Sequence, residues 1–462
     1  MCPDSPFFHV GPIHDPDHFC DRKAEVQRIL SLLRKFQSIS IVGPRKIGKT
    51  STLMHVSNPV IARQHGLDPE RALFVFVDCE GFGAFQSADL YRYFQHEIAS
   101  GLGEAYAEFL LTPAADRGTA YLSLVRLVSQ MKREGRQLIL MLDEFERLAA
   151  NRNLDVDFFG GMRSLAIAHR VAFVTASKVP LDQLSDGERD TLLGSNFFNI
   201  FSIVRLNLFS ESDSHGLIND GFRQCGISPS SEVFDWILQA GGGHPFFLQV
   251  AGDCVYQAIA EKGFQVTDLD FESLTTCFMR QAKSHFGYYW EQLSSQERYM
   301  LATLSWSQRQ KLYQSALLRL QEQCLIVRTD SRYRPFSSQF ERFIEDQEVE
   351  HLLQAGPLLI DRRRREVLAH GRPLSLGPTC YNLLLYLAER SGQPISHTEL
   401  DQAVWQPEQS VGAEERVKTG IKELRRALED DARHIVSHRG VGYAFDPEPD
   451  LHIATRGGDD ES

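Results

Sequence analysis

The sequence is poor in several features, and each shortage narrows its class. Its 462 residues hold eight cysteines, at positions 2, 20, 79, 225, 254, 277, 324 and 380, and no two form a CxxC pair. Thiols this scattered suit a reducing compartment and argue against a disulfide framework. His9, His14, His18 and Cys20 lie close together in the sequence, but their spacing matches no zinc pattern. Apolar runs are short, such as residues 72–77 and 138–142, well under the roughly 20 residues of a membrane helix. The opening MCPDSPFFHVGPIHDPD carries acids and prolines where a secretory leader would have basic and then apolar residues. A soluble protein of the cytoplasm, with no membrane partner, is therefore expected. Basic charge is not in excess either, with 49 Lys and Arg against 61 Asp and Glu. The net charge of −12 excludes a surface coated for unspecific nucleic-acid binding but leaves room for a local basic patch. No internal repeat of 20 to 50 residues is present.

What remains is ordinary globular composition, with 42 % apolar, 24 % charged and 10 % aromatic residues. At roughly 100 to 200 residues per domain, the length predicts two to four domains. Apolar residues Val26, Ile29, Leu30, Leu33 and Phe36 recur at helical spacing. Buried-strand patterns follow at 38–42 (SISIV), 73–77 (LFVFV), 137–142 (QLILML) and 171–175 (VAFVT), with helical patterns at 90–102 and 121–132 between them. Strands alternating with helices imply a parallel sheet covered on both faces. From about 211 to 351 helical periodicity dominates, and after Gly356 short strand-like pieces return.

Gly43-Pro44-Arg45-Lys46-Ile47-Gly48-Lys49-Thr50 fits GxxxxGK[ST] without a mismatch and sits between a strand pattern and Ser51-Thr52-Leu53-Met54, the start of a helix. Glycines in such a loop let backbone N–H groups turn inward onto phosphates at a helix N-terminus. Lys49 then reaches the outer phosphate oxygens, and Thr50 supplies a Mg²⁺ ligand. The matching acid should end an apolar strand, and Asp143 and Glu144 follow LILML. Asp143 is expected in the Mg²⁺ shell, and Glu144, with Lys49, in the catalytic role of a slow ATPase. The plainer alternative leaves Glu144 as a solvated strand end. Thr175 and Ser177 close the next strand and are candidates for the phosphate end of the site.

The phrase GPRKIGKTS resembles the phosphate loop of the STAND and archaeal-type branch of AAA+ ATPases. Three further pieces occur in that branch's order. Residues 19–25 (FCDRKAE) are similar to its F-x-G-R-x-x-E box, which implies a place for Arg22 beside adenine, although no glycine precedes Arg22 here. The segment 195–201 (SNFFNIF), followed by Val204-Arg205-Leu206, resembles the entry to the helical lid. Gly243-His244-Pro245 within GGGHPFFLQ resembles the lid motif whose proline packs on the base, adding His244 and Pro245 to the expected nucleotide contacts. The long repeat array usual in the STAND branch is absent. In the family the lid is followed by a winged helix, and residues 285–343 fit one whose helix at 314–323 is not strongly basic.

The last stretch, from Leu358 to Tyr443, resembles the winged-helix effector domain of OmpR/PhoB-type response regulators. The resemblance rests on V-x-x-x-I-x-x-L-R-R-x-L-E at 417–429 and R-G-V-G-Y at 439–443. Residues 357–446 carry thirteen basic and thirteen acidic residues, yet within 416–426 five basic residues face one acid. A helix with Ile421, Leu424 and Leu428 inside and basic residues outside suits a major groove. The expected double-stranded DNA contacts are Arg416, Lys418, Thr419, Lys422, Arg425, Arg426 and, on the hairpin, Arg439, with Thr419 and Gly420 small enough for close approach.

The expected fold is thus multidomain α/β. A loop over 1–18 precedes a P-loop NTPase parallel sheet over 19–208, a helical lid over 209–280 and a middle winged helix over 281–350. A C-terminal α+β winged helix over 356–446 and an acidic, disordered tail over 447–462 follow. The functional expectation is an ATP/ADP- and Mg²⁺-binding switch that controls a DNA-reading domain and acts in transcription. Homo-oligomers and an unidentified upstream signal belong to this reading. The rival is an AAA+ ATPase that assembles on or is loaded onto DNA in replication, transposition or antiviral defence.

Overall fold

The computed structural model describes residues 4–7, 11–20, 22–109, 117–184, 196–261, 269–304, 314–329, 332–347, 351–370, 372–406 and 412–447. His9, Asp21, Ser195 and the expected tail beyond 447 lie outside them. The chain divides into two compact units. The first spans 1–282 with 322–324 and 336–339, and the second takes in 283–321, 325–335 and 340–462.

The first unit is built on a five-stranded sheet, all parallel, in the order β2-β3-β4-β1-β5. The strands are β1 Ser38–Val42, β2 Ala72–Asp78, β3 Gln137–Asp143, β4 Ala172–Ser177 and β5 Phe201–Arg205. β3 is buried along its whole length, so its side chains alternate between two cores rather than between core and solvent. Leu138, Leu140 and Leu142 join Phe94, Phe158 and Phe173 on one face. Ile139 and Met141 join Ile39, Ile41 and Leu53 on the other. Because the strands are parallel, the residues that end β1, β3 and β4 gather at one edge of the sheet, where α/β proteins place their sites.

Three further helices follow the sheet. Glu211–Gln224 opens with a capping box of Ser210 and Asp213, and Ser231–Gly241 starts at the N-cap Ser230. Pro245–Glu261 is buried on nearly every side from Pro245 to Tyr256, as befits the middle of a helical layer. The cysteine density argued against disulfides, but the structure joins Cys254 on this helix to Cys277 on the helix Phe271–Gln292, with Cα atoms 6.0 Å apart. It is the one bridge among the described residues, set by helix packing that no sequence spacing announces.

The second unit holds the helix Ser295–Ala302, a hairpin of β6 Ile326–Thr329 and β7 Arg332–Pro335, and then an antiparallel sheet ordered β11-β10-β9-β8. Its strands are β8 Leu352–Ala355, β9 Leu358–Asp361, β10 Glu366–Ala369 and β11 Arg372–Leu374. The sheet thus begins before the Gly356 at which the sequence pattern changes. The Ser295 hydroxyl donates to the buried Asp361 carboxylate at 2.7 Å. Helices Pro378–Glu389, His397–Trp405 and Ala413–Leu428 follow, with a three-stranded sheet of β12 Ile395–Ser396, β14 Gly442–Phe445 and β13 Ile435–His438. Leu383, Leu384, Val417, Ile421, Leu424 and Phe445 fill one core beneath them. No helix among the described residues is long and apolar enough to cross a membrane.

Candidate functional site

β1 runs into the Gly43–Gly48 turn, and the helix Lys49–Ser57 starts directly after it. Gly48 caps that helix at φ 102°, a conformation L side chains rarely adopt. A helix beginning at the loop aims its unpaired N–H groups and its positive end into the cavity lined by Arg45 to Thr52. The Lys49 ammonium is buried there and donates to the carbonyls of Gly43 at 2.9 Å and Pro44 at 3.1 Å. Burial pulls its pKa below the ordinary lysine value, opposed by the Glu144, Glu146 and Asp143 carboxylates.

β3 delivers Asp143 to the same place. The Thr50 hydroxyl donates to Asp143 Oδ2 at 2.7 Å, although the two residues stand 93 positions apart. Burial raises the Asp143 pKa, and the Thr50 bond works against that rise. Two hard oxygen donors this close at the foot of a phosphate loop are a donor set that fits Mg²⁺. Glu144, at φ 47°, lines the cavity. Glu146 and Lys178 escaped sequence reasoning. They form an ion pair at 3.4 Å, and Glu146 acts electrostatically on Lys49. The one available signal was that Lys178 directly follows β4.

Arg22 stands on the opposite wall of the cavity. Its guanidinium is buried, donates to the Ile47 carbonyl at 2.9 Å, pairs with Glu25 at 3.5 Å and lies 4.8 Å from the Phe209 ring centre. Arg22 therefore braces the back of the phosphate loop while lining the cavity. Pro245, Phe246 and Gln249 face the cavity from the helix Pro245–Glu261, with Lys46 over the Phe246 ring at 5.3 Å. His244 packs against Phe247 and Phe336 instead of joining that wall. Thr175 is fully buried within β4, outside the wall, and its hydroxyl has no hydrogen-bond partner among the described residues. Gly11, Pro12 and Ile13 complete the cavity, a contribution nothing in their Pro/Asp-rich surroundings suggested.

In the second unit the helix Ala413–Leu428 buries Val417, Gly420, Ile421, Leu424 and Leu428. The expected basic face separates into two groups. Arg416 bonds the fully buried Asp401 carboxylate through Nε and Nη2, at 2.8 and 2.6 Å. Arg425 donates to the Ile435 carbonyl at 2.6 Å and the Ser437 hydroxyl at 2.9 Å and lies over the Tyr443 ring. These two hold the module together. Lys418 is exposed and pairs with Glu414 at 2.6 Å. Thr419, Lys422 and Arg426 are exposed on the outer face, and Arg439 is exposed at the β13–β14 turn. Gly420 corrects the sequence reading, since it faces inward against Leu383 and Trp405 and offers no close approach to an outside partner.

A phosphate loop with its acid on a parallel sheet, in one chain with a winged-helix module, defines a P-loop NTPase joined to a DNA-binding-type effector fold. Residues 30–308, more than half of the chain, match Novel STAND NTPase 2, and the protein belongs to that family. Residues 371–445 match the C-terminal domain of transcriptional regulatory proteins, the OmpR/PhoB type. Over that region the sensory transduction protein RegX3 of Mycolicibacterium smegmatis is 33 % identical across 98 residues, 21 % of this chain and 42 % of that protein. The transcriptional regulatory protein AfsQ1 of Streptomyces coelicolor is 38 % identical across 95 residues, 20 % of this chain and 42 % of that protein. The chain thus spans less than half the length of these curated relatives. Among solved structures, the Walker-type ATPase of Pyrococcus abyssi shares the fold at TM-score 0.51 and 17 % identity, over 72 % of this chain and 98 % of that one.

Proposed function

We propose that this protein is a nucleotide-switched transcriptional regulator of the cytoplasm, in which ATP or ADP binding governs a C-terminal module that reads double-stranded DNA. The observation that carries the reading is the Thr50–Asp143 pair beside Lys49, in the same chain as an effector helix whose outer face presents Lys422 and Arg426. Mg²⁺ held by Thr50 and Asp143 would offset charge on the phosphate oxygens. Lys49 exchanges its two loop carbonyls for phosphate oxygens, and Arg22 keeps the loop in shape while that happens. Glu144 is the carboxylate that orients a water and accepts its proton, and turnover is slow. On DNA, Lys418, Lys422, Arg426 and Arg439 supply positive charge and Thr419 a short polar contact. A switch of this kind needs nucleotide to bind two conformations with different affinity.

Footprinting of the full chain on its own upstream DNA tests this, comparing nucleotide-free protein, ADP and a non-hydrolysable ATP analogue. A discrete protected site whose occupancy changes with nucleotide is the expected result. Sharp protection that ignores nucleotide overturns the switch, and ATP-stimulated coating of any DNA turns the reading towards a loader.

A further inference from the structure

Phe7 belongs to the N-terminal segment and is only 5 % exposed. Its ring sits where two helices of the lid carry glycine. A Cβ on Gly252 would lie 2.5 Å from Phe7 Cε1, and one on Gly221 would lie 2.8 Å from the same atom. The Phe222 ring closes the socket edge-on at 5.0 Å. Gly221 lies on the helix Glu211–Gln224 and Gly252 on Pro245–Glu261, the helix whose first turn faces the nucleotide cavity. The socket therefore exists because both helices lack a side chain at the same place.

Farther along, the segment fastens to the other side of the cavity. The Ile13 N–H donates to the Ser51 hydroxyl at 3.1 Å, on the helix that begins at the phosphate loop. Phe19 stacks on His55 of that helix at 3.9 Å. Described residues near the start of the chain thus engage both the lid, through Phe7, and the phosphate-loop helix, through Ile13 and Phe19, and Gly11 to Ile13 line the cavity.

We propose that the N-terminal segment is a nucleotide-retention latch, with Phe7 as its bolt and the Gly221–Gly252 socket as its keeper. The inference rests on the nucleotide-binding reading above and adds how long the nucleotide stays. Phe7 does not line the cavity itself and acts through the lid, so it is a positioning residue. Opening the lid far enough to release nucleotide withdraws an aromatic ring from an apolar socket. Losing the ring therefore speeds dissociation by roughly ten- to a hundredfold. Association, which uses the phosphate loop, changes little.

Stopped-flow kinetics of a fluorescent ADP analogue with the full chain test the latch in wild type, Phe7→Ala, Gly252→Ala and the double variant. Gly252→Ala places a methyl group where the ring sits while improving helix propensity, so it evicts Phe7 without weakening its own helix. Both single variants should release the analogue at least tenfold faster, with binding stoichiometry and association rate kept. The double variant should match the singles rather than multiply them, because both remove one contact. Phe7→Leu should restore part of the retention. Wild-type protein that binds the analogue while both single variants release it at the wild-type rate overturns the latch alone. Wild-type protein that binds no analogue overturns the nucleotide reading, and the latch with it.

Discussion

Arg416 and Asp401 form the central ion pair of the effector module, with two bonds of 2.8 and 2.6 Å onto a carboxylate that is wholly buried. Such a fork of donors matches a carboxylate and not a single-point partner. Removing the guanidinium would leave Asp401 buried without its counter-charge, which is the costly way to break such a pair. Arg416→Ala should therefore raise hydrogen exchange throughout the peptides covering 413–428, and Arg416→Lys should rescue it poorly. An exchange pattern equal to wild type would return Arg416 to the outer surface.

The same pair sets an acid limit. Arg416 holds the Asp401 carboxyl below the usual carboxylate range, first through its hydrogen bonds and then through its charge. A group whose folded pKa is depressed stabilises above its unfolded value, about 3.9 for Asp, and that stabilisation is lost as pH falls through the folded value. The difference in urea midpoint between wild type and Asp401→Asn should stay constant from pH 8 to about pH 5. It should then close below about pH 4.

Much of this architecture was readable from residues, for identifiable reasons. A phosphate loop is local, so Gly43 to Thr50 carried its own signature, and the strand ending in Asp143 could be matched to it. The resemblance to the response-regulator effector rested on local patterns of the same kind. Long-range contacts carry no such mark. Nothing near Arg416 announces that Asp401 will claim it, so a helix that reads as five basic residues presents fewer outward. Gly420 looked like room for a partner, whereas its missing side chain makes room for Leu383 and Trp405. The phenylalanine socket and the Cys254–Cys277 bridge likewise depend on which helices cross where.

DNA contacts should follow the same partition. Lys422 and Arg426 are exposed and have no ion-pair partner among the described residues. A cation that neutralises one phosphate contributes about one unit to the slope of log affinity against log salt. Lys422→Ala and Arg426→Ala should each weaken binding of the upstream DNA and lower that slope by about one, with helix exchange unchanged. A full wild-type slope in both variants would move the contact surface elsewhere.

Gly420→Ala sets two effects against each other. In a helix interior the change normally gains about 1 kcal/mol from backbone entropy. Here the new Cβ would stand 2.8 Å from both Leu383 Cδ1 and Trp405 Cη2, inside a packed core. Overpacking of that kind costs about 1–3 kcal/mol, so the net sign should be destabilising. Urea unfolding followed through Trp405 fluorescence would show a lower midpoint, and a raised one would mean that the two side chains can move aside.

Three substitutions at the phosphate loop separate binding, metal dependence and chemistry. Lys49→Ala removes the cation that two loop carbonyls now hold and should abolish nucleotide binding in calorimetry. Asp143→Asn keeps the shape and the Thr50 contact while removing the charge. Nucleotide affinity should then lose most of its gain on adding Mg²⁺, with metal-free affinity little altered. Glu144→Gln leaves Lys49, Thr50 and Asp143 in place, so affinity and Mg²⁺ dependence should stay near wild type. Any hydrolysis seen in the wild type should fall at least a hundredfold, within the range ascribed to a positioned proton acceptor. Turnover that survives Glu144→Gln would direct attention to Glu146, the carboxylate near Lys49 that is not bonded to Thr50, whose ion pair with Lys178 would have to open first.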